Sequence, residues 1–440
     1  MNKSYSLLAL AALALAATGL TACSDDTPAK DDKGKTPVVK YVRVADPALA
    51  DSLIVEASLG SQLVFVGDNL GDVQQMWFND IKAKLNPTLV TSNTIIVEVP
   101  NDIAGEVTNQ VRLITSTGIE TQYPFHVVVP QPRVSSMTCE YAPAGSQTTI
   151  SGAYFVNDPN VPLAVTFPGN KKAEIVSFTQ TEIVITVPED APEGPVTVAT
   201  IYGTTESPFY YKDTRGMMFD FDGLTGLGNH GWHAAPIVDD EHSISGNYVC
   251  LNQNAAGDPS GWDDNNFAFE YWPGSWNDPV DYPAREGVRL FDIVDFSDWE
   301  DMSLKFELCI PASNPWQAGA MQLIFTSTSQ VTLGNANVLD VYGNLVAGSN
   351  NDYVETNANL VPRGLYRPWS ATEAFSTADQ WITVTMPLKD FVYNYQGGNC
   401  SGFLTPESFA GFTLFVVGGG VDGVACNPIF RIDNIRAVKN

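Results

Sequence analysis

Two stretches, "SQLVFVGDN" (residues 61–69) and "SQTTISGAY" (residues 146–154), open two copies of one pattern. Ser61, Gln62 and Gly67 recur as Ser146, Gln147 and Gly152, an offset of 85. Val99, Pro100 and Asp102 recur as Val187, Pro188 and Asp190, an offset of 88, so three extra residues fall in a loop between strands. "TIIVEVP" (94–100) and "EIVITVP" (182–188) alternate with period two and stop at a proline, which has no N–H to give to a central ladder. Repeated units of this size, built from short alternating strands, predict tandem β-sandwiches of immunoglobulin type. They lack the Cys…Trp…Cys pattern of antibody domains. "VVVPQPRV" (127–134) reads as a proline-stiffened joint between the units.

Composition shifts near residue 215. Residues 1–214 carry 16 aromatics and residues 215–440 carry 31, and eight of nine tryptophans lie after residue 230. Strand-like runs recur there, among them "MMFDFDG", "LKFELCI", "MQLIFTS", "WITVTMPL", "FTLFVVGG" and "IFRIDNIRAV". No long stretch of 3.6-residue period competes with them. "TPESFAG" (405–411) reads as a single helical turn with a Thr N-cap. Eight or more strands with long loops predict a jelly-roll-like β-sandwich. The whole chain is therefore expected to be all-β.

The chain of 440 residues is 44% hydrophobic and 17% charged, a globular profile with ample core material. Its formal charge of −27 argues against nucleic acid and against electrostatic docking on anionic lipid. A neutral partner meets no such penalty. At the N-terminus, "MNKSYSLLALAALALAATGL" is apolar but short for a bilayer span and runs into "LTAC" (20–23). That is a lipobox, and it predicts acylation of Cys23. "SDDTPAKDDKGKTP" (24–37) then reads as a charged tether reaching about 20 Å as a random coil. Five cysteines remain, with no CxxC pair and no metal-ligand spacing; an odd number cannot all pair within one chain. Cys309 reads as a buried small hydrophobe, and a bridge between Cys400 and Cys426 is left open.

The glycine turn, "V.F", "T.I.V.VP" and "G.V.V" order of the repeats resembles the IPT/TIG family. The acidic "SDD" after Cys23 resembles the surface-export signal of Bacteroidetes lipoproteins. "FRIDNIRAV" as last strand beside "MMFDFDG" as first resembles carbohydrate-binding jelly rolls. Lipobox, export patch, two IPT/TIG-like sandwiches and an aromatic-rich β-domain, in that order, resemble the surface glycan-binding protein B family of polysaccharide utilisation loci. The implied organisation is a signal peptide (1–22), an acylated Cys and flexible tether (23–39), IPT/TIG sandwiches at 40–130 and 131–212, and a glycan-binding domain at 213–440. The resemblance implies a non-catalytic outer-membrane lipoprotein, exposed at the cell surface. It would capture a β-glucan (xyloglucan or mixed-linkage glucan) beside a SusC/SusD-like transporter. The residues themselves point to no cofactor and no metal ligand set, and a structural calcium is left open.

A pyranose in a β-glucan offers a C–H face that stacks on Trp or Tyr and hydroxyl edges that bond Asn, Asp, Gln and Arg. Trp316 in "SNPWQAG" (313–319) follows two prolines that keep its loop out of the sheet, with Asn314 and Gln317 as hydroxyl partners. The competing reading folds Trp316 back onto the sandwich edge as a lid over the core. "GLYRPWS" (364–370) offers Tyr366, Arg367 and Trp369, the Arg with a planar donor fork. "EYWPGSWNDPVDYP" (270–283) offers Trp276, while Trp272 closes an apolar strand and reads as core. Trp232 and Trp262 are lesser loop candidates, and Trp299 and Trp381 read as structural. A surface adhesin would also use loop tryptophans as hot spots, and a glycosidase with accessory Ig-like domains needs only two carboxylates. No GxSxG, HExxH or phosphate loop is present, and His230, His233 and His242 read as solvated loop residues.

Overall fold

The computed structural model describes residues 32–46, 48, 52–230, 235–252, 268–272, 288–327, 361–420 and 423–440. The chain divides into two compact units, Met1–Val129 and Pro130–Asn440.

The first unit is a sandwich. Val38–Val44, Gln62–Asp68 and Thr94–Glu98 form one sheet; Ile81–Lys82, Val73–Phe78, Gln110–Thr115 and Glu120–Pro124 form the other. Phe65, Phe78 and Phe125 meet at ring distances of 5.9–6.1 Å in the core. The expected tether is held to this sandwich from Asp32 onward. Asp32 is buried and accepts the Gly71 N–H at 3.1 Å, and the Asn69 amide donates to the Thr36 carbonyl at 3.1 Å.

The second unit begins with a sandwich of the same plan. Arg133–Met137, Gln147–Ala153, Glu182–Thr186 and Glu174–Phe178 form one sheet; Lys171–Lys172, Ala164–Phe167, Gly194–Thr200 and Gly203–Tyr211 form the other. The repeated residues do the same work in both copies. Gly67 N–H donates to Asn93 and Gly152 N–H to Thr181, at 2.9 and 2.8 Å. Val99 and Val187 each accept from the glycine before the repeated Ser and donate to that Ser carbonyl, at 2.9–3.0 Å. In each copy the first strand bulges opposite the glycine, at Val39/Tyr41 and at Val134/Ser136. A Cβ on Gly67 would lie 1.9 Å from the Val38 carbonyl oxygen, and one on Gly152 1.9 Å from that of Arg133. Neither site has room for a methyl group.

Residues 217–440 build a larger sandwich. One sheet runs Ile237–Val238, Tyr248–Asn252, Ile429–Lys439, Met302–Cys309, Ile382–Pro387, with Met217–Phe219 also pairing with Ile429–Lys439. The other runs Ala268–Tyr271, Gly411–Val416, Met321–Thr326, Arg363–Tyr366. Leu304, Phe306 and Leu308 from one sheet meet Leu323, Phe325, Phe412 and Leu414 from the other in a common core. "TPESFAG" forms the expected single turn, a 3-10 turn over Pro406–Ser408 closed by a Thr405/Ser408 capping box.

The strand Met302–Cys309 is buried along its whole length, because the second face of its sheet is covered as well. The alternation places Lys305 and Glu307 on that outer face. In Ile429–Lys439 the alternation slips by one. Phe430 and Ile432 point inward, then Ile435 and Ala437, with a bulge opposite Lys305/Glu307 and Asn434 at φ 51°. The extra residue turns Arg436 outward.

There Arg436 meets the preceding sandwich. Its Nη2 lies 2.7 Å from Glu140 Oε2 and its Nη1 2.8 Å from Glu307 Oε2. Lys305 Nζ completes the cluster at 2.6 Å from Glu140 Oε1. Glu307 and Arg436 are 0% exposed, Glu140 2% and Lys305 8%. Thr383 stitches the joint: it accepts the Glu140 N–H at 2.7 Å, donates to Glu307 at 2.9 Å, and its N–H donates to the Thr138 carbonyl at 2.8 Å. Arg436 also lies 5.1 Å from the centre of the Tyr141 ring. Burial pushes the Glu307 carboxyl up, against the pull of Arg436. Met217 and Trp381 join the core of the Ig-like sandwich. The expected domain border at 212/213 is therefore crossed by a continuous packed and bonded interface.

Candidate functional site

One end of the large sandwich is built from residues 310–320, 366–381, 417–420 and 423–428, and it gathers six of the seven expected glycan-binding residues. Trp276 lies outside the described residues, as do Trp232, Trp262, His233 and Cys23.

Pro311 ends its strand, and the loop returns so that Trp316 and Phe375 exchange backbone bonds at 2.8 and 2.9 Å. The Trp316 ring is 0% exposed. It lies edge-on to Phe430 at 5.0 Å and tilted against Tyr366 at 6.0 Å, and its indole N–H donates to the Ala318 carbonyl at 2.7 Å. Trp369 opens a single helical turn, Trp369–Thr372, is 5% exposed, and donates to the Gly319 carbonyl at 2.8 Å. The expectation of two stacking platforms is corrected here. Both indoles bury their faces in the core and spend their N–H groups on adjacent carbonyls of one turn. They hold the loop down, as a large apolar ring with one polar handle does when burial is available.

The residues around them stay half-buried. Asn314 donates to the Asn427 carbonyl at 2.9 Å and accepts from Ser313 at 2.8 Å, so its amide is committed to the loop. Arg367 uses one N–H on the Gly419 carbonyl at 2.6 Å, leaving most of its fork for other partners. Gly419 sits at φ 78°, and a Cβ there would lie 2.3 Å from Ala320 Cβ, which brings its carbonyl within reach of Arg367. The Gln317 side chain and the Tyr366 hydroxyl make no hydrogen bond to described residues, and burial pushes the Tyr366 phenol up to about 12. The arrangement is a rigid loop end with a donor fork, an amide and a neutral phenol available at its surface.

The strands also carry polar side chains that their apolar appearance hid. On the outer face of the smaller sheet, Arg363 donates to Gln322 at 2.9 Å, Gln322 donates to the Val417 carbonyl at 2.7 Å, and the Trp272 indole reaches the Thr413 hydroxyl at 3.3 Å. Arg363, Gln322, Thr413, Trp272 and Glu270 are all 0–2% exposed, so this row holds the sheet together. The expected core position of Trp272 is met on this face and not in the main core. The signal lay in alternate positions of "MQLIFT" and "FTLFVV". Among the described residues Cys139, Cys250, Cys309 and Cys426 are free thiols, so the bridge between Cys400 and Cys426 is not formed. Among the described residues no three His, Cys, Asp or Glu side chains converge on a metal site.

These residues sit on a β-sandwich that follows two Ig-like sandwiches in the chain. The model for the surface glycan-binding protein B xyloglucan binding domain matches residues 211–439, just over half of the chain. The crystal structure of the surface glycan-binding protein PbSGBP-B from Prevotella bryantii is 41% identical with a TM-score of 0.82, and the match covers 92% of this chain and 99% of that one. An IPT/TIG domain-containing protein of Bacteroides ovatus is 32% identical over 162 residues, 35% of this chain. That match spans 33% of the relative's length. The chain belongs to the surface glycan-binding protein B family. The family is one of cell-surface glycan-binding proteins, not enzymes.

Proposed function

We propose that this protein captures a β-glucan, xyloglucan or mixed-linkage glucan, on residues 213–440, and that it does so as an outer-membrane lipoprotein acylated at Cys23. The two Ig-like sandwiches carry the binding domain, and a SusC/SusD-like transporter takes over the captured chain. The match of residues 211–439 to a xyloglucan-binding family model carries this reading. Lipobox and acidic patch support the anchor.

At the loop end, Arg367, Gln317 and the Tyr366 hydroxyl bond sugar hydroxyls, while Asn314, Trp316 and Trp369 keep their loops in place. Stacking is assigned to the half-buried Tyr366 ring and to Trp276. The test is affinity electrophoresis of the mature chain in gels carrying xyloglucan, mixed-linkage glucan or a mannan. The parent is retarded by one of the β-glucans. Arg367→Ala and Trp276→Ala lose most of that retardation with unchanged thermal stability, whereas Trp316→Ala loses stability as well. Parent mobility equal in every gel would return the protein to the adhesin reading. Retardation untouched by Arg367→Ala, Gln317→Ala and Trp276→Ala would move the site elsewhere.

A further inference from the structure

The opposite end of the same sandwich holds a cleft that the loop-end site leaves unexplained. Strand Met321–Thr326 runs between the two ends, about 17 Å at ~3.4 Å per residue. At its far end Ala410 N–H donates to the Thr326 carbonyl at 3.1 Å, and Leu290 and Phe291 donate to Ala410 and Phe409 at 3.0 and 2.9 Å. This backbone pairing sets the 3-10 turn Leu290–Asp292 beside the 3-10 turn Pro406–Ser408. Between them lies a cleft of about 280 Å³ lined by Phe291, Asp295, Phe296, Ser297, Pro406 and Glu407. Its floor is fixed, since Phe296 stacks on Phe409 at 4.1 Å with an interplanar angle of 2°. Phe403, on the same segment as Pro406, is 78% exposed, the most exposed of the large apolar side chains among the described residues.

The lining is apolar below and acceptor-rich above, with no cation in it. Arg289 is bound to Asp292 at 2.6 and 2.9 Å, and its guanidinium carbon lies 4.9 Å from the Phe291 ring centre. Asp295 accepts the Ser297 N–H at 2.9 Å, and Ser297 holds the Asp295 carboxyl, and Glu407's own backbone N–H with Thr405 the Glu407 carboxyl, below the usual carboxylate range. An anion is therefore excluded. A neutral ring with one C–H face and several hydroxyl donors is matched, by dispersion to Phe291 and by acceptance at the carboxylates. The volume lies just under the range of pockets for drug-sized ligands, which suits a single sugar ring.

We propose that this cleft is a second saccharide subsite, taking one hexopyranose unit of a neutral glycan. It rests on the glycan-binding reading, and it makes each chain bivalent for a polysaccharide long enough to reach both ends.

The experiment is a native mass-spectrometry titration of the mature chain with cellohexaose, backed by calorimetry. The parent takes up two molecules per chain. Asp295→Asn/Glu407→Gln, which alters only exposed carboxylates, takes up one and raises the dissociation constant of the lost site at least tenfold. Phe291→Ala behaves in the same way, with its melting temperature recorded to separate binding from folding. Arg367→Ala retains the cleft's copy. A parent stoichiometry of one that the cleft variants leave unchanged overturns the subsite and leaves the loop-end reading standing. Binding of a lysine-rich peptide that Asp295→Asn/Glu407→Gln abolishes, with cellohexaose still at one per chain, overturns it in favour of a cationic occupant. A parent that binds no saccharide removes both readings together.

Discussion

The buried cluster at Glu140 makes a strong demand on the chain. Glu140→Ala removes two ion pairs of 2.6 and 2.7 Å at once. The native cluster holds two carboxylates and two cations; after the substitution Lys305 and Arg436 share Glu307 alone, and one positive charge stays in a site closed to water. Breaking a buried pair from one side costs about 3–5 kcal/mol, because the partner loses its compensation and remains desolvated. For a unit of this size that is a fall of roughly 6–10 °C in melting temperature, at about 2 °C per kcal/mol. Differential scanning calorimetry of the mature chain reads it directly. Two companions sharpen the result. Lys40→Ala breaks an exposed pair with Asp68 and should change stability by less than about 1 kcal/mol. Glu140→Ala/Lys305→Met restores neutrality around Arg436 and Glu307 and should recover part of the loss. A Glu140→Ala loss no larger than that of Lys40→Ala would refute the reasoning, as would a double variant worse than the single one. Residues 213–440 alone would uncover Lys305, Glu307 and Arg436 without Glu140.

Gly67→Ala and Gly152→Ala should each lose about 1–3 kcal/mol, since the new methyl must displace a strand carbonyl; equal melting of parent and variants would show that the bulges yield freely. Asp433 should tilt stability with pH. Its buried carboxyl is pushed up to about 8, chiefly by loss of water, with the Ser245 hydroxyl and Asn434 N–H pulling the other way and Glu307 and Asp222 adding to the rise. Between an unfolded value near 4 and about 8, the folded chain keeps a proton that the unfolded chain has released. Stability therefore falls as pH rises through that window, by at most ~1.4 kcal/mol per unit. Asp433→Asn should flatten the slope in calorimetry between about pH 5 and pH 8, and a slope equal in parent and variant would sink the assignment.

Much of this was readable from residues alone. "TIIVEVP" and "EIVITVP" announce strands because period two and a terminal proline are local properties, and the repeat doubles the signal. The loop end was legible as a place, since Pro311 and Pro315 must break the strand. The direction in which Trp316 points was not. A tryptophan in a polar loop faces outward or folds under according to whether a cavity waits beneath it, and that cavity is made by Phe430, Tyr366 and Phe375 from distant segments. Glu140 was silent for the same reason. It is one of 50 acidic residues, and its partner stands 296 positions away. The phase slip in "FRIDNIRAV" comes from a bulge and from a neighbouring sandwich that supplies a carboxylate, and neither is a local property of the stretch.

The paired glycines carry a historical record. Two copies that have diverged at most positions still agree where a strand carbonyl stands 1.9 Å from the place a side chain would start. At these two positions only glycine fits without moving the facing strand. A Ser-Gln followed by Gly five residues after the Gln thus works as a tally mark, one per duplicated unit.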